Sequence, residues 1–182
     1  MMEDVFKRAR KNSLYLFLGG LLLVGFFIVA VKLNVLISGK MVGKPLPEIA
    51  ESDWIVRSDR DADPVKATLL FFWRPGVKIA DEMLAWTVTL DGKYRKSGLR
   101  IVGVVNPSKK KPLDIEMLKH RLRQKSVRYD FAMDETGELR KKLMHYSFAT
   151  YYIADMNGVI RVVGNASDGM DAAENEILRL LR

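Results

Sequence analysis

The chain has 182 residues, an apolar fraction of 48% and a formal net charge of +8. This length provides for one membrane segment and one domain of ordinary size with its own core. The chain contains no cysteine. It therefore cannot carry out thiol–disulfide exchange, peroxiredoxin-type peroxide reduction or copper delivery by paired thiolates, because each of these begins at a thiolate sulfur. The positive charge favours anionic partners.

The N-terminal segment is predicted to be a membrane anchor. Residues 14–31 are free of charge and proline, and about 20 apolar residues cross a bilayer core, so we place a transmembrane helix at residues 13–37. Four cations in residues 1–12 predict a cytoplasmic N-terminus: Lys7, Arg8, Arg10 and Lys11. The rest of the chain is then expected in the periplasm, outside a bacterial inner membrane. A cleaved signal peptide is the alternative, but the residues after the apolar run make a poor cleavage site.

The tether and entry segment occupies residues 38–50, and the folded domain is expected at residues 51–182. Residues 67–73 form a nearly continuous apolar run, which is typical of a strand that is buried on both faces. Residues 79–96 favour a helix that Gly98 ends, and residues 99–105 form a second buried strand. A strand, a helix and a strand in this order predict a right-handed parallel crossover.

The second half of the domain is predicted to end in antiparallel structure. Two apolar, β-rich runs flank Asn157-Gly158, and Asn-Gly favours the tight turn of a hairpin. In chain order the patterns predict a helix at 112–125, a short strand at 127–132, a helix at 138–144, hairpin strands at 151–155 and 159–163, and a helix at 170–181. The fold class is therefore α/β, with a mixed sheet flanked by helices.

Residues 69–83 resemble the active-site segment of membrane-anchored thioredoxin-like proteins, the family that includes the thiol–disulfide reductases of cytochrome c maturation. The shared features are an apolar strand that ends in Phe-Trp, a short Pro/Gly loop and a helix that starts with Asp81-Glu82-Met83. The entry segment at residues 43–47 and the run from Asp134 to Gly158 also resemble this family. The resemblance implies a thioredoxin-like fold for residues 43–182.

Two functional features of that family are missing from the chain. That family carries a Cys-x-x-Cys motif on the first turn of the helix. Counting back from Glu82-Met83 places its two cysteines at Gly76 and Ile79, in a loop about one residue shorter than the family's. The family's cis-proline falls on Ala149, where we expect a trans peptide because a non-proline cis bond costs about 3 kcal/mol. The chain is thus interpreted as a degenerate, redox-inactive member. The candidate interaction loop comprises Trp73, Arg74, Pro75, Gly76, Val77, Lys78, Ile79, Ala149 and Thr150.

A second candidate site is the densest positive region of the chain. Its cations are Lys109, Lys110, Lys111, Lys119, Arg121, Arg123, Lys125 and Arg128. This basic patch is suited to anionic lipid headgroups or to an acidic protein, and an ordinary solvated helix face is the alternative. Nucleic acid is not expected, because the interleaved aromatic residues of such sites are missing.

No cofactor or metal site is predicted. Residues 59–63 carry the alternating acids of a calcium loop, but Pro64 occupies the position of the required glycine. The only histidines, His120 and His145, lack a second ligand at metal spacing. No phosphate-binding glycine motif occurs.

Three functions remain open. The first is an interaction scaffold or accessory subunit of a cell-envelope complex, for which secretion or conjugation machinery is one candidate. The second is a periplasmic peptide-binding chaperone or holdase. The third is an enzyme with replaced chemistry at Lys78, Asp81 or Glu82, which is disfavoured because nothing in the sequence pairs these groups.

Overall fold

A six-stranded mixed sheet organises the part of the chain that the computed structural model describes, which is residues 40–58, 64–107, 113–144 and 149–182. The predicted anchor at 13–37, the calcium-like loop at 59–63, Lys109 to Lys111 and His145 lie outside these residues. Within the described ranges, no helix has both the length and the apolar character needed to cross a membrane.

The strands run in the sheet order β1-β4-β3-β2-β5-β6. Their bounds are β1 Trp54–Val56, β2 Ala67–Trp73, β3 Leu99–Val105, β4 Asp130–Met133, β5 Thr150–Asp155 and β6 Ile160–Asn165. β2, β3 and β4 are parallel neighbours. β1 pairs antiparallel with β4, β5 pairs antiparallel with β2, and β6 pairs antiparallel with β5. The mixed sheet that the sequence predicts is therefore confirmed.

Four helices flank this sheet in the described residues. They are α1 Lys78–Tyr94, α2 Ile115–Gln124, α3 Glu138–Lys142 and α4 Asp171–Leu181. Gly98 follows α1 and a short 3-10 turn with φ +102, a left-handed conformation that glycine adopts without strain. The predicted order of helices and strands is correct, although α3 is shorter than predicted, β4 begins three residues later than the predicted strand, and β1 was not predicted.

The core lies on both faces of the sheet, because successive side chains of a strand point to opposite faces. Leu69 and Phe71 of β2 belong to the larger cluster, which α1, α2 and α4 cover. Leu70 and Phe72 belong to the smaller cluster, which the short α3 and the entry segment from Met41 cover. This burial on both faces explains why the sequence of β2 is a nearly continuous apolar run.

A buried carboxylate joins β1 to the strands beside it. Asp130 at the start of β4 accepts hydrogen bonds at Oδ1 from the backbone N–H and the hydroxyl of Ser58, at 2.9 and 2.7 Å. Its Oδ2 accepts from the Arg100 guanidinium at 2.9 Å. Burial by itself would raise the pKa of Asp130, but the Ser58 and Arg100 hydrogen bonds outweigh burial and lower it.

Two close contacts join α1 to the start of β4 and join β4 to β3. The Thr87 and Tyr129 hydroxyls, both buried, are hydrogen-bonded at 2.7 Å, and burial raises the pKa of Tyr129. On β3, the Phe131 ring lies against Gly103 so closely that a Cβ built at Gly103 would come within 2.1 Å of it. Only glycine fits at this position of β3.

Candidate interaction site

The two halves of the predicted site lie at one end of the sheet. Trp73 at the end of β2 is in register with Val105 at the end of the parallel β3. β5 runs antiparallel to β2 with Phe71 opposite Tyr151, and Trp73 and Ala149 belong to the same buried core cluster. The loop after Trp73 and the start of β5 therefore lie at the same end of the sheet.

The loop between β2 and α1 is a tight turn. The Val77 N–H donates to the Arg74 carbonyl at 3.3 Å, and Gly76 has φ +80 in the left-handed region. α1 begins only at Lys78. Of the two positions matched to the family's cysteines, Ile79 lies in the first turn of the helix, whereas Gly76 lies in the loop before it. The backbone at Gly76 thus differs from the expected helix-start geometry, because the loop is short.

A partly buried hydrogen bond holds this loop against the sheet. The Trp73 side chain is 2% exposed, and its indole N–H donates to Asp81 Oδ1 in the first turn of α1 at 2.9 Å. The Trp73 ring also packs edge to face against Phe131, with 5.7 Å between ring centroids. Sequence reasoning missed the Trp73–Asp81 pair, for which the only signal was an acidic residue in the first turn of the helix after the loop.

The predicted site residues differ in their access to solvent. Arg74, Gly76 and Lys78 are exposed, while Pro75, Val77 and Ile79 are half-buried. Trp73, Ala149 and Thr150 are buried. The Ala149 carbonyl also accepts a hydrogen bond from the Ala166 N–H at 3.0 Å, and Ala149 has φ +61. The described chain has no cis peptide, but the bond before Ala149 involves Phe148, which lies outside the described residues. The accessible part of the site is residues 74–79, which we call the 74–79 loop.

The polar groups of the first turn of α1 have structural partners. Lys78 Nζ lies 3.8 Å from Glu82 Oε1, one turn along the helix, and Asp81 accepts the Trp73 indole hydrogen bond. No cluster of three histidine or acidic side chains suitable for a metal ion occurs within the described ranges. These pairings fix the helix start and bring no nucleophile and base together.

The basic patch follows α2 into the turn after it. Lys119, Arg121 and Arg123 lie on α2, Lys125 is its C-cap residue, and Arg128 precedes β4. Lys119 is paired with Glu116 at 2.9 Å, whereas the other four side chains are exposed. The helix is therefore positive on its solvent side. His120 is also exposed there, and no ion pair within the described chain involves it.

The structure is similar to several solved thioredoxin-like structures. One is a thioredoxin-like protein in its oxidised form (TM-score 0.64, 23% identity, 75% of this chain and 94% of that chain). Another is a putative thiol:disulfide interchange protein DsbE from Chlorobium tepidum (TM-score 0.61, 19% identity, 78% and 98%). A third is an uncharacterised conserved protein from Geobacillus kaustophilus (TM-score 0.59, 21% identity, 70% and 70%). No protein-family model and no curated protein sequence matches the chain.

These similarities establish a thioredoxin-like fold for the described domain. The chain has no cysteine, so this fold carries no thiolate for exchange with a disulfide. The fold and the site together define a thioredoxin-like domain without redox-active thiols.

Proposed function

We propose that the chain is a redox-inactive, membrane-anchored thioredoxin-like protein that binds a protein partner as a scaffold, accessory or assembly subunit of a cell-envelope complex. The observation that carries this proposal is the partly exposed 74–79 loop, which the Trp73–Asp81 hydrogen bond holds in place although no sulfur is present. A loop ordered in this way is suited to recognition, because little conformational entropy is lost on binding.

The proposed location rests on the sequence. The apolar residues 14–31 and the cations before them support a single span with a cytoplasmic N-terminus and a periplasmic domain. Secretion or conjugation machinery is one candidate for the complex. The fold itself does not select among such complexes, because one fold serves many functions.

The test is site-specific photo-crosslinking of the full chain in intact membranes. A photoreactive residue at Arg74 or at Lys78, whose side chain is 91% exposed, is expected to give discrete protein adducts. The control position is Lys142, which is exposed on α3 against the other face of the sheet. Adducts that appear equally at Lys142, or none at either loop position, would contradict the proposal.

A peptide-binding chaperone is the alternative function. Its support is the half-buried apolar side chains of Pro75, Val77 and Ile79, which could contact unfolded chains. In that case the full chain suppresses the aggregation of a thermally unfolding reporter enzyme, and crosslinking at Lys78 gives a broad smear of adducts. Discrete adducts without aggregation suppression favour the subunit function.

A further inference from the structure

α2 carries a line of three exposed side chains. Met117, Arg121 and Lys125 follow each other at intervals of four residues, so they lie one above another on one side of the helix. Met117 is 64% exposed, which is a large exposure for an apolar side chain. The nine residues from the first to the last of them span about 12 Å of helix length. Leu118 and Leu122, on the adjacent face of α2, anchor the helix in the core. We call these three exposed side chains the α2 stripe.

The positive charge of the chain is concentrated in the part of the sequence that contains this stripe. Residues 109–128 contain eight lysines and arginines but only two acidic residues, so they carry six of the eight net positive charges of the whole chain. Both acidic residues are engaged, since Glu116 pairs with Lys119 and Asp114 caps α2 by accepting the Met117 N–H at 3.0 Å.

Within the described part of the chain, no carboxylate pairs with Arg121 or Lys125. Several arginines elsewhere in the domain do pair with carboxylates: Arg95, Arg100, Arg161 and Arg179. Among the described residues, the positive charge of Arg121 and Lys125 is therefore not neutralised by an ion pair, and it lies beside an exposed apolar side chain that an anionic ligand could also contact.

We propose that the α2 stripe docks an acidic segment of a partner polypeptide, with carboxylates against Arg121 and Lys125 and an apolar side chain against Met117. Exposed ion pairs supply the steering and the orientation, and the apolar contact supplies buried area. This surface is separate from the 74–79 loop and goes beyond the function proposed above.

The stripe lies at the edge of the sheet remote from the residues at which the described domain begins. The first described residues lie beside β6. The Gly43 N–H donates to the Ile160 carbonyl at 2.8 Å, and the Ile160 N–H donates to the Lys44 carbonyl at 2.9 Å. α2 packs toward β1 at the other edge of the six-stranded sheet. Five strand spacings separate these edges by about 24 Å. The stripe therefore lies toward the edge of the sheet that is remote from the first described residues.

The test uses the full chain in phosphatidylcholine nanodiscs and a fluorescent peptide of alternating glutamate and leucine, with binding followed by anisotropy. The double variant Arg121→Glu/Lys125→Glu is expected to weaken binding about tenfold, because two exposed ion pairs become repulsive. The matched control, Arg140→Glu/Lys142→Glu, makes the same charge change at exposed positions of α3 and is expected to change binding less than about twofold.

The apolar contact has its own matched pair of variants. Met117→Ser is expected to weaken binding of the peptide about threefold. Met156→Ser is expected to leave binding unchanged, because Met156 is 72% exposed but lies in the β5–β6 turn, outside the stripe. Because glutamate near the C-terminus of α2 opposes the helix dipole, Arg121→Gln/Lys125→Gln repeats the charge test, and thermal unfolding confirms that each variant is folded.

Three results would overturn the proposal. Equal weakening by the α2 and α3 double variants would show general attraction to a basic protein. Stripe-dependent binding to phosphatidylglycerol vesicles that is tighter than binding to the peptide would assign the surface to a bilayer. Stripe-dependent binding to oligouridylate that is tighter than to the peptide would assign it to RNA. None of these results changes crosslinking from Arg74 or Lys78, so failure here is distinct from failure of the proposed function.

Discussion

Replacing Gly76 by alanine tests whether the former redox loop has the backbone conformation described above. Gly76 has φ +80, and a Cβ added there meets nothing within 4 Å, so the effect of the substitution is purely conformational. The left-handed region costs an L-residue about 1–2 kcal/mol, while alanine stiffens the unfolded chain and returns about 0.4–1 kcal/mol. We therefore expect Gly76→Ala to lower the free energy of unfolding by about 1 kcal/mol.

Gly92 supplies a control in which the same substitution is expected to change the free energy of unfolding in the opposite direction. It lies inside α1, and a Cβ there also meets nothing within 4 Å. Alanine favours a helix interior over glycine by about 1 kcal/mol, so Gly92→Ala is expected to be stabilising. The two variants should differ by about 2 kcal/mol. The free energy of unfolding of Gly76→Asn should lie between those of Gly76→Ala and the wild type, because asparagine tolerates positive φ.

The assay is urea unfolding of the full chain in detergent, followed by tryptophan fluorescence. All three tryptophans, Trp54, Trp73 and Trp86, lie in the folded domain, so the signal reports the domain. An unfolding free energy for Gly76→Ala that equals or exceeds the wild-type value would refute the left-handed turn. It would restore the interpretation in which residue 76 sits in helix-start geometry with only its sulfur missing.

Three further outcomes are expected. The pKa of Asp130 is lower in the folded state than in the unfolded state. Its stabilising contribution is therefore complete at neutral pH and is lost as the pH falls through about 4 and below. Circular dichroism should show a smaller loss of stability on acidification in Asp130→Asn than in the wild type. Gly103→Ala should lower the free energy of unfolding by about 3 kcal/mol, measured by thermal unfolding, because its Cβ collides with Phe131. Adding Phe131→Leu should recover part of that loss, and additive effects of the two substitutions would contradict the clash. Tyr129→Phe should cost about 1 kcal/mol in urea unfolding, because the buried Thr87 hydroxyl loses one partner; an unchanged midpoint would show that this hydrogen bond does not stabilise the domain.

Local sequence pattern predicted those elements whose burial is complete on both faces or clearly one-sided. β2 and β3 are seven-residue apolar runs, and both lie in the sheet interior. β1 was not predicted, because it has only three residues, all half-buried. Three residues are too few to show a periodic pattern. The Trp73–Asp81 hydrogen bond escaped because it depends on how α1 is oriented over the end of β2.

The sequence by itself determined that no thiol chemistry is possible and that an α/β fold with a parallel crossover and a terminal hairpin forms. The first conclusion needs only composition, and the second needs the pattern of apolar residues together with the Asn157-Gly158 turn. Only the tertiary structure decided which site residues reach solvent: Ala149 and Thr150 are buried, while Lys78 is exposed. It also decided that α2 and the chain entry lie toward opposite edges of the sheet. Such burial and separation arise from contacts between segments that are distant along the chain.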